Sequence, residues 1–305
     1  MDLITNLQCF LRVAEIGSFS AVAAERGVTQ PAISRQVSAL ETYLGTRLVH
    51  RSTRAVTLTE EGREILISAR ELIDAVDGLR QAAGDRLRRP AGLVRIALPV
   101  SLGPHVSHRI CALLNQYREL SVELIMRDRV GNLVEEGLDL EIRPGEIDEA
   151  ALICRRVGST TALIVASPSY LDCRTKPEHP RDLEQHDCIV HRRFSDDDTW
   201  WFAPASEQKK NRDEFAVTVR GQFSADNAAA IYCAALAGQG IACVSHLLVS
   251  EDLANGRLRQ LLPEFECRRQ PLYITYASRR SLPHRTRAVI DFLVKVLQED
   301  PLMRP

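Results

Sequence analysis

The chain has 305 residues, enough for about two domains, and its apolar fraction of 45% is ordinary for a globular protein. With 39 Lys and Arg against 40 Asp and Glu, its formal net charge is −1, which excludes an overall basic field and restricts nucleic-acid binding to a local patch. The N-terminus lacks the pattern of a signal peptide, and the most apolar stretch, residues 228–249, is interrupted by Gly238 and Gly240. We therefore expect a cytoplasmic protein with no membrane partner.

Residues 17–59 predict two short helices separated by a tight turn and followed by a basic hairpin, and a further helix precedes them. Residues 2–16 form the first helix, and Ser18 suits the N-cap of a second helix that stops at Gly27. Small residues in the second helix would let a neighbouring helix cross closely. Val28 is expected to pack inward.

A third helix is predicted between Thr29 as its N-cap and Gly45 as its stop, with Pro31 tolerated in the first turn. Its apolar residues recur on one face: Ile33, Val37, Leu40 and Leu44. The opposite face is polar and suits hydrogen bonds to base edges and phosphates: Gln30, Ser34, Arg35 and Ser38.

A short basic hairpin is predicted after the third helix. Leu48 and Val49 form one strand and residues 56–58 its partner, with Arg51 and Arg54 at the tip. Such a tip is placed to contact a DNA minor groove or backbone. Helical hairpins also occur in ordinary protein cores, but the polar helix face and the basic tip together favour DNA.

A long amphipathic helix follows, with Thr59 as its N-cap and an expected end near Arg88. Its apolar residues alternate at intervals of four and three, the spacing of a heptad seam: Ile65, Ala69, Leu72, Val76, Leu79 and Ala83. A seam of this length indicates a partner, either a helix of a second subunit or the chain's own second domain. Residues 88–92 contain proline and glycine and are expected to form a hinge.

The rest of the chain predicts an α/β fold with a mainly parallel sheet, because strands and helices alternate along it. Strands are expected at residues 93–98, 122–126, 138–142, 161–166, 188–190, 241–244 and 272–277, and helices at residues 103–117, 228–237 and 285–297. A hairpin-like region is expected between Trp200 and Val219.

The N-terminal pattern resembles the LysR-type transcriptional regulators. The residues that carry the resemblance are Ser18 to Ala21, Gly27 to Val37 (GVTQPAISRQV), Leu40, Glu41, Leu44, Gly45, Leu48, Arg51, Arg54, Leu58, Thr59 and Gly62. It implies a winged helix-turn-helix DNA-binding domain at residues 1–58, a linker dimerisation helix at 59–89, and an effector-binding domain at 90–305. That domain would resemble a periplasmic binding protein with two α/β subdomains, I at about 91–162 and 268–305 and II at about 163–267.

The resemblance also implies partners. They are double-stranded promoter DNA, a second subunit paired through the linker helix into a homodimer, a further pairing into a homotetramer, and RNA polymerase. The residues expected at DNA are Ser18, Thr29, Gln30, Pro31, Ser34, Arg35, Ser38, Arg51 and Arg54.

The family places its effector cleft at two segments that each open a helix, residues 99–103 and 223–227, and helix N-termini after strands are common ligand sites. Ser101 is expected to donate to a ligand carboxylate with the help of nearby backbone N–H groups. Ser224 would face it, and Arg143 would supply positive charge. The residues assigned to the effector are Pro99, Ser101, Leu102, Arg143, Trp200 and Ser224.

Ordinary structural roles explain the same residues. Ser101 and Ser224 suit simple helix caps, Trp200 suits a core position, and Arg143 suits an ion pair. Its candidate partners in that pair are Glu141 and Glu146.

The eight cysteines include no C-x-x-C pair and no zinc spacing with histidine. Most are expected to be buried thiols in a reducing cytoplasm, with Cys173 and Cys188 on more polar segments. Peroxide-sensing members of the family use a cysteine pair in the effector domain, so a redox response is an alternative.

Enzymatic motifs are missing from the sequence, including the P-loop, H-E-x-x-H and G-x-S-x-G patterns. His105 and His108 have no carboxylate or cysteine beside them, so no metal site is predicted. No cofactor is expected other than a small-molecule effector of unknown identity. The rival class is a solute-binding protein or enzyme built on the C-terminal fold, which the N-terminal module disfavours.

Overall fold

The computed structural model describes residues 2–51, 56–82, 89–147, 152–192, 198–205, 214–277 and 282–303. They fall in two compact units, one within Met1–Arg89 and Arg279–Arg287 and the other within Pro90–Ser278 and Ala288–Pro305. No helix in these ranges combines the length and the apolarity that crossing a bilayer requires.

The first unit is mainly helical, with a short hairpin. Its described elements are α1 (Leu3–Ile16), α2 (Phe19–Arg26), α3 (Gln30–Leu44), β1 (Val49–Arg51), β2 (Val56–Leu58) and α4 (Glu60–Ala82). The two strands are antiparallel, with Val49 opposite Leu58. Phe10 of α1, Val22 of α2 and Ile33 of α3 lie together in one buried core.

Glycines with positive φ end α2 and α3, as predicted: Gly27 has φ 66° and Gly45 has φ 70°. A side chain would strain this left-handed conformation. Val28 and Leu44 are, however, 46% and 39% exposed, so the predictions that they pack inward are wrong. Val28 lies in the turn between α2 and α3, and Leu44 is the last residue of α3, while the fully buried Leu48 belongs to the core instead.

Helix α4 divides its apolar residues between the core and the surface. Ala69 and Ile73 are buried in the core of the first unit. Leu72 is 40% exposed and Leu79 is 71% exposed. The predicted heptad seam is therefore not one continuous surface, because its early residues pack within their own unit. Its last predicted position, Ala83, lies outside the described residues.

The second unit is built from sheets with helices packed around them. Its described strands are β3 (Gly92–Leu98), β4 (Leu120–Met126), β5 (Leu140–Pro144), β6 (Leu152–Thr160), β7 (Ala162–Ala166), β8 (Cys188–His191), β9 (Thr199–Pro204), β10 (Phe215–Thr218), β11 (Ser224–Ala225), β12 (Ile241–Ser245), β13 (Arg259–Leu261), β14 (Phe265–Cys267) and β15 (Gln270–Ala277). Its helices are α5 (Gly103–Gln116), α6 (Pro168–Leu171), α7 (Ala228–Leu236), α8 (His246–Ala254) and most of α9 (His284–Glu299), with 3-10 turns at Val100–Leu102, Pro180–Gln185 and Pro301–Met303.

Two five-stranded sheets in the described residues mix parallel and antiparallel pairs. The first has the order β4-β3-β5-β15-β6, in which β3 is parallel to both neighbours and β15 antiparallel to both. The second has the order β11-β8-β12-β7-β13, in which β8 is parallel to both neighbours and β7 antiparallel to both. The prediction of a mainly parallel sheet is wrong, because β15 runs antiparallel to β5 and β6, and β7 runs antiparallel to β12 and β13.

The chain passes twice between these sheets. It leaves the first after Thr160 and enters the second at Ala162, then returns between Cys267 and Gln270. We call the first sheet with α5 and α9 lobe I. Lobe II comprises the second sheet, α6, α7, α8 and the antiparallel sheet β10-β9-β14, which contains the predicted hairpin between Trp200 and Val219.

At Gly62, α4 passes close to the residue that precedes β1, since a Cβ there would lie 2.1 Å from the backbone oxygen of Leu48. We expect Gly62→Ala to lower the free energy of unfolding by about 1–3 kcal/mol, although alanine favours helices. Thermal unfolding of the whole chain measures the loss. Gly45→Ala is the control, because its position has positive φ but open space, and it should cost about 1 kcal/mol or less. A smaller loss for Gly62→Ala than for Gly45→Ala would contradict the steric constraint.

Candidate functional site

Helix α3 presents a polar face to solvent while its apolar face is buried. Ile33, Val37 and Leu40 lie in the core. Five predicted DNA-contact residues lie on the other side of the helix, three of them exposed and the two serines half-buried: Gln30, Pro31, Arg35, Ser34 and Ser38. Positions four residues apart share one face of a helix, so the fold gathers them on one surface.

The two predicted cap residues behave differently. Ser18 accepts a hydrogen bond from the N–H of Ala21 at 3.3 Å, which confirms it as the N-cap of α2. Thr29 occupies the N-cap position of α3 with extended backbone angles, but its side chain makes no capping hydrogen bond. Pro31 removes one of the N–H groups that such a cap would satisfy. The Thr29 side chain therefore stays on the exposed face beside Gln30.

The carboxylate of Glu41 joins α3 to the base of the hairpin. Its Oε1 accepts hydrogen bonds from the backbone N–H groups of Leu48 at 2.9 Å and Val49 at 3.3 Å. This contact fixes the hairpin beside the exposed face of α3. Periodicity along the helix does not reveal it, because the donors come from residues seven and eight positions later.

Thr59 fixes the other end of the hairpin. Its Oγ1 accepts from the N–H of Gly62 at 2.9 Å, which confirms the predicted cap of α4, and it donates to the carbonyl of Arg47 at 2.7 Å. Arg51 ends β1. The side chain of Arg51 and the whole of Arg54 lie outside the described residues.

A cavity of about 410 Å³ lies between lobe I and lobe II. Both segments that connect the lobes contribute to its wall, through Thr160 and Thr161 on one side and Arg268 on the other. Four of the predicted effector residues also line it: Pro99, Ser101, Leu102 and Trp200. Trp200 is 8% exposed and belongs to the core of lobe II as well.

Asp128 is the acidic group of this cavity and was not predicted. Its Oδ1 accepts from the N–H of Val100 at 3.0 Å, and its Oδ2 accepts from the N–H of Ala228 at 2.6 Å. Nε2 of His191 lies 3.4 Å from Oδ2. Val100 lies in the first segment where the effector was expected, residues 99–103, and Ala228 directly follows the second, residues 223–227. The available signal was the position of Asp128 two residues after the apolar strand β4, beyond its carboxyl end.

The electrostatic environment keeps Asp128 ionised. Burial opposes the charge, but the imidazole of His191 and the N–H groups of Ala228 and Val100 together hold the pKa of Asp128 below its ordinary value. Its side chain is 5% exposed. The cavity therefore carries a buried negative charge where a positive site was predicted.

Arg143 does not line this cavity, so its prediction as a ligand contact there is not supported. Its side chain is 8% exposed and lies 3.6 Å from Glu141, one of the two alternative partners. Arg127 also contacts Glu141, at 3.2 Å. Desolvation raises the pKa of Glu141 despite the two arginines. Arg143 faces a neighbouring cavity of about 400 Å³ in lobe I.

Ser224 is also placed away from the cavity wall. It is exposed and starts the short strand β11, where it pairs with Val190. The cap of α7 is instead Asn227, whose side chain accepts from the N–H groups of Ala229 and Ala230. The backbone donor of Ala228 remains directed at Asp128.

The cysteines are less buried than expected. Cys9, Cys188 and Cys267 are buried, and Cys243 is half-buried. Those exposed are Cys111, Cys154, Cys173 and Cys233. Burial raises the pKa of Cys188 to about 12, which opposes thiolate formation there. Cys243 and Cys267 line the cavity with their sulfur atoms 3.7 Å apart.

Comparison with known proteins gives two family matches. The family described as "Bacterial regulatory helix-turn-helix protein, lysR family" matches residues 4–63, and the "LysR substrate binding domain" matches residues 87–298.

Similar proteins share this organisation over nearly their whole length. The chain is 31% identical over 299 residues to the HTH-type transcriptional regulator PtxR of Pseudomonas aeruginosa, covering 98% of this chain and 94% of that protein. It is 32% identical over 303 residues to DmlR of Escherichia coli K12, covering 98% and 96%. The solved structure of CrgA, a LysR-type transcriptional regulator from Neisseria meningitidis, has a TM-score of 0.60 and 28% identity, covering 96% of this chain and 98% of CrgA.

The buried contact between Arg143 and Glu141 predicts a stability defect. We expect Arg143→Ala to lower the free energy of unfolding by about 3 kcal/mol, because it removes one counter-charge from a buried carboxylate. Chemical denaturation measures this. Arg129→Ala is the matched control, because its ion pair with Asp226 is exposed and is worth about 1 kcal/mol or less. Equal losses would contradict a structural role for Arg143.

Proposed function

This chain belongs to the LysR family of transcriptional regulators, with a helix-turn-helix DNA-binding domain and an effector-binding domain, and we propose that α3 and the β1–β2 hairpin form its promoter-contacting surface. The observation that carries the assignment is the exposed polar face of α3 on a buried three-helix core. An exposed helix of this kind fits the DNA major groove.

The proposed contacts divide between bases and backbone. Gln30, Ser34 and Arg35 lie on the exposed turns of α3, where their side chains suit base edges. Thr29 and Ser38 flank them and suit phosphate oxygens. We also assign Pro31 to this surface. Ser18 is proposed to position α2, because it forms the N-cap of that helix. Arg51 and Arg54 keep their proposed role at the hairpin tip.

We propose that the cavity between the lobes takes the effector. Its wall contains residues of both lobes, so a bound molecule would favour the lobe arrangement that contacts it best. Pro99, Ser101, Leu102 and Trp200 are its proposed contacts. Arg143 and Ser224 are not part of this proposal, because they lie elsewhere in the domain.

The second half of α4 supports a homodimer. Leu72 and Leu79 are exposed apolar residues on one side of a long helix, and a matching helix of a second subunit would bury them. A two-fold dimer would present two copies of α3 to two half-sites. We further propose that the dimers pair into a homotetramer and that the protein contacts RNA polymerase. It would act in the cytoplasm, where promoter DNA lies.

Arg35 provides the direct test of the DNA surface. We expect Arg35→Ala to weaken specific binding to a fragment of the chain's own upstream DNA by about 1–3 kcal/mol, measured by footprinting at fixed salt. Arg35→Lys should recover only part of the loss, because lysine lacks the bidentate geometry of arginine. Arg118→Ala, an exposed arginine of the other unit, should bind as wild type. Wild-type affinity of Arg35→Ala would remove Arg35 from the interface.

Leu79 tests the dimer surface. We expect Leu79→Lys to shift the protein toward monomers in sedimentation velocity, because it would place a charge in an apolar helix interface. Glu71→Lys introduces the same residue at an exposed position of α4 outside the seam and should leave the sedimentation coefficient unchanged. An unchanged coefficient for Leu79→Lys would show that the subunits pair elsewhere.

A further inference from the structure

Asp128 occupies the position in the cavity that suits the carboxylate of a ligand. It follows β4 in lobe I, and its two oxygens accept one N–H from each lobe, Val100 in lobe I and Ala228 in lobe II. Ala228 is the first residue of α7, so the helix dipole adds to the attraction. The two donors that would hold an anion between the lobes are both bound to the protein's own side chain.

We propose that Asp128 is a tethered anion that bridges the two lobes and that the cavity selects an uncharged effector, an inference that rests on the proposed regulatory function. In this arrangement Asp128 is a specificity-determining residue. Its carboxylate makes the contacts between the two lobes that the carboxylate of an acidic ligand would otherwise make.

The charges around the cavity disfavour a second carboxylate close to that of Asp128. Arg268 is the one side chain with a permanent positive charge among the described residues of the wall. Its Nε donates to Glu214 at 2.8 Å, and its guanidinium lies 4.5 Å from the centre of the Trp201 ring. Asp128 would therefore repel an acidic ligand in this site, and no matching cation would offset that repulsion.

The remaining wall suits an uncharged molecule with hydrogen-bonding groups. Ser101, Thr161 and Ser245 are among the residues that line the cavity, and hydroxyl side chains can both donate and accept hydrogen bonds. Trp200 contributes an aromatic surface. Neutral amides, alcohols and lactones match this combination of groups.

Anion rescue tests the tethered carboxylate directly. Asp128→Ala in the full-length chain removes the carboxylate and leaves the two N–H donors, and formate is the size of the lost group. We expect the variant to melt below wild type and sodium formate to raise its Tm by about 2–4 °C more than equimolar sodium chloride. Wild type should respond equally to the two salts, because Asp128 already fills the position.

Asp226→Ala is the matched control. Asp226 lies two residues before Ala228 and also forms an ion pair to lobe I, with Arg129, but its side chain is 60% exposed. Its alanine variant should respond equally to formate and chloride. Equal responses of Asp128→Ala to the two salts, or a preference of wild type for formate, would overturn the proposal.

A second variant tests the role of the Asp128 carboxylate if Asp128→Ala does not fold. Asp128→Asn keeps the volume but cannot accept from both N–H groups as the carboxylate does, so its Tm should fall by about 4–8 °C. Asp226→Asn should change Tm little, and an equal fall would overturn the proposal. Footprinting of wild type tests DNA binding separately, so failure of the regulator assignment and failure of the Asp128 assignment give different results.

Discussion

The effector-binding unit depends on the chain passing twice between its two sheets. Lobe II begins with β7 after the first crossing, and the sheet of lobe I is completed only by β15, which follows the second crossing and lies between β5 and β6. Because lobe II is inserted between two parts of lobe I, the lobes are joined by two segments of chain, and the cavity lies beside these segments. Residues distant in sequence, such as Ser101 and Arg268, thereby line one space. A molecule bound in this space would therefore contact both lobes at once.

The DNA-binding unit has a different requirement, because one face of α3 must be exposed while the helix stays firmly packed. Ile33, Val37 and Leu40 anchor α3 in the core, and burying such side chains stabilises the fold by about 1.5–3 kcal/mol each. The opposite face then needs no packing role. Glu41 also holds the hairpin in place, because its carboxylate accepts hydrogen bonds from the backbone N–H groups of Leu48 and Val49. The polar face and the hairpin are thus held in one fixed relation, as recognition of a DNA groove requires.

Asp128 shows how one side chain changes the chemistry of a cavity. Helix N-termini and free backbone N–H groups favour anions, so the same framework without Asp128 would suit an acidic ligand. With it, the donors are satisfied within the chain, and burial of the carboxylate is offset by three partners. The fold is shared with related regulators, while ligand chemistry is set by individual side chains of the wall.

The sequence by itself determined the class of protein, the caps at Ser18 and Thr59, and the faces of α3, because these depend on contacts between near neighbours and on helical periodicity. It also led to Pro99, Ser101, Leu102 and Trp200 as residues of the cavity. Only the tertiary structure decided the directions of β7 and β15, the exposure of Val28, the pairing of Arg143 with Glu141 and the position of Asp128. Strand direction, burial and charge pairing arise between segments far apart in the chain, and no local pattern encodes which partner a side chain will meet.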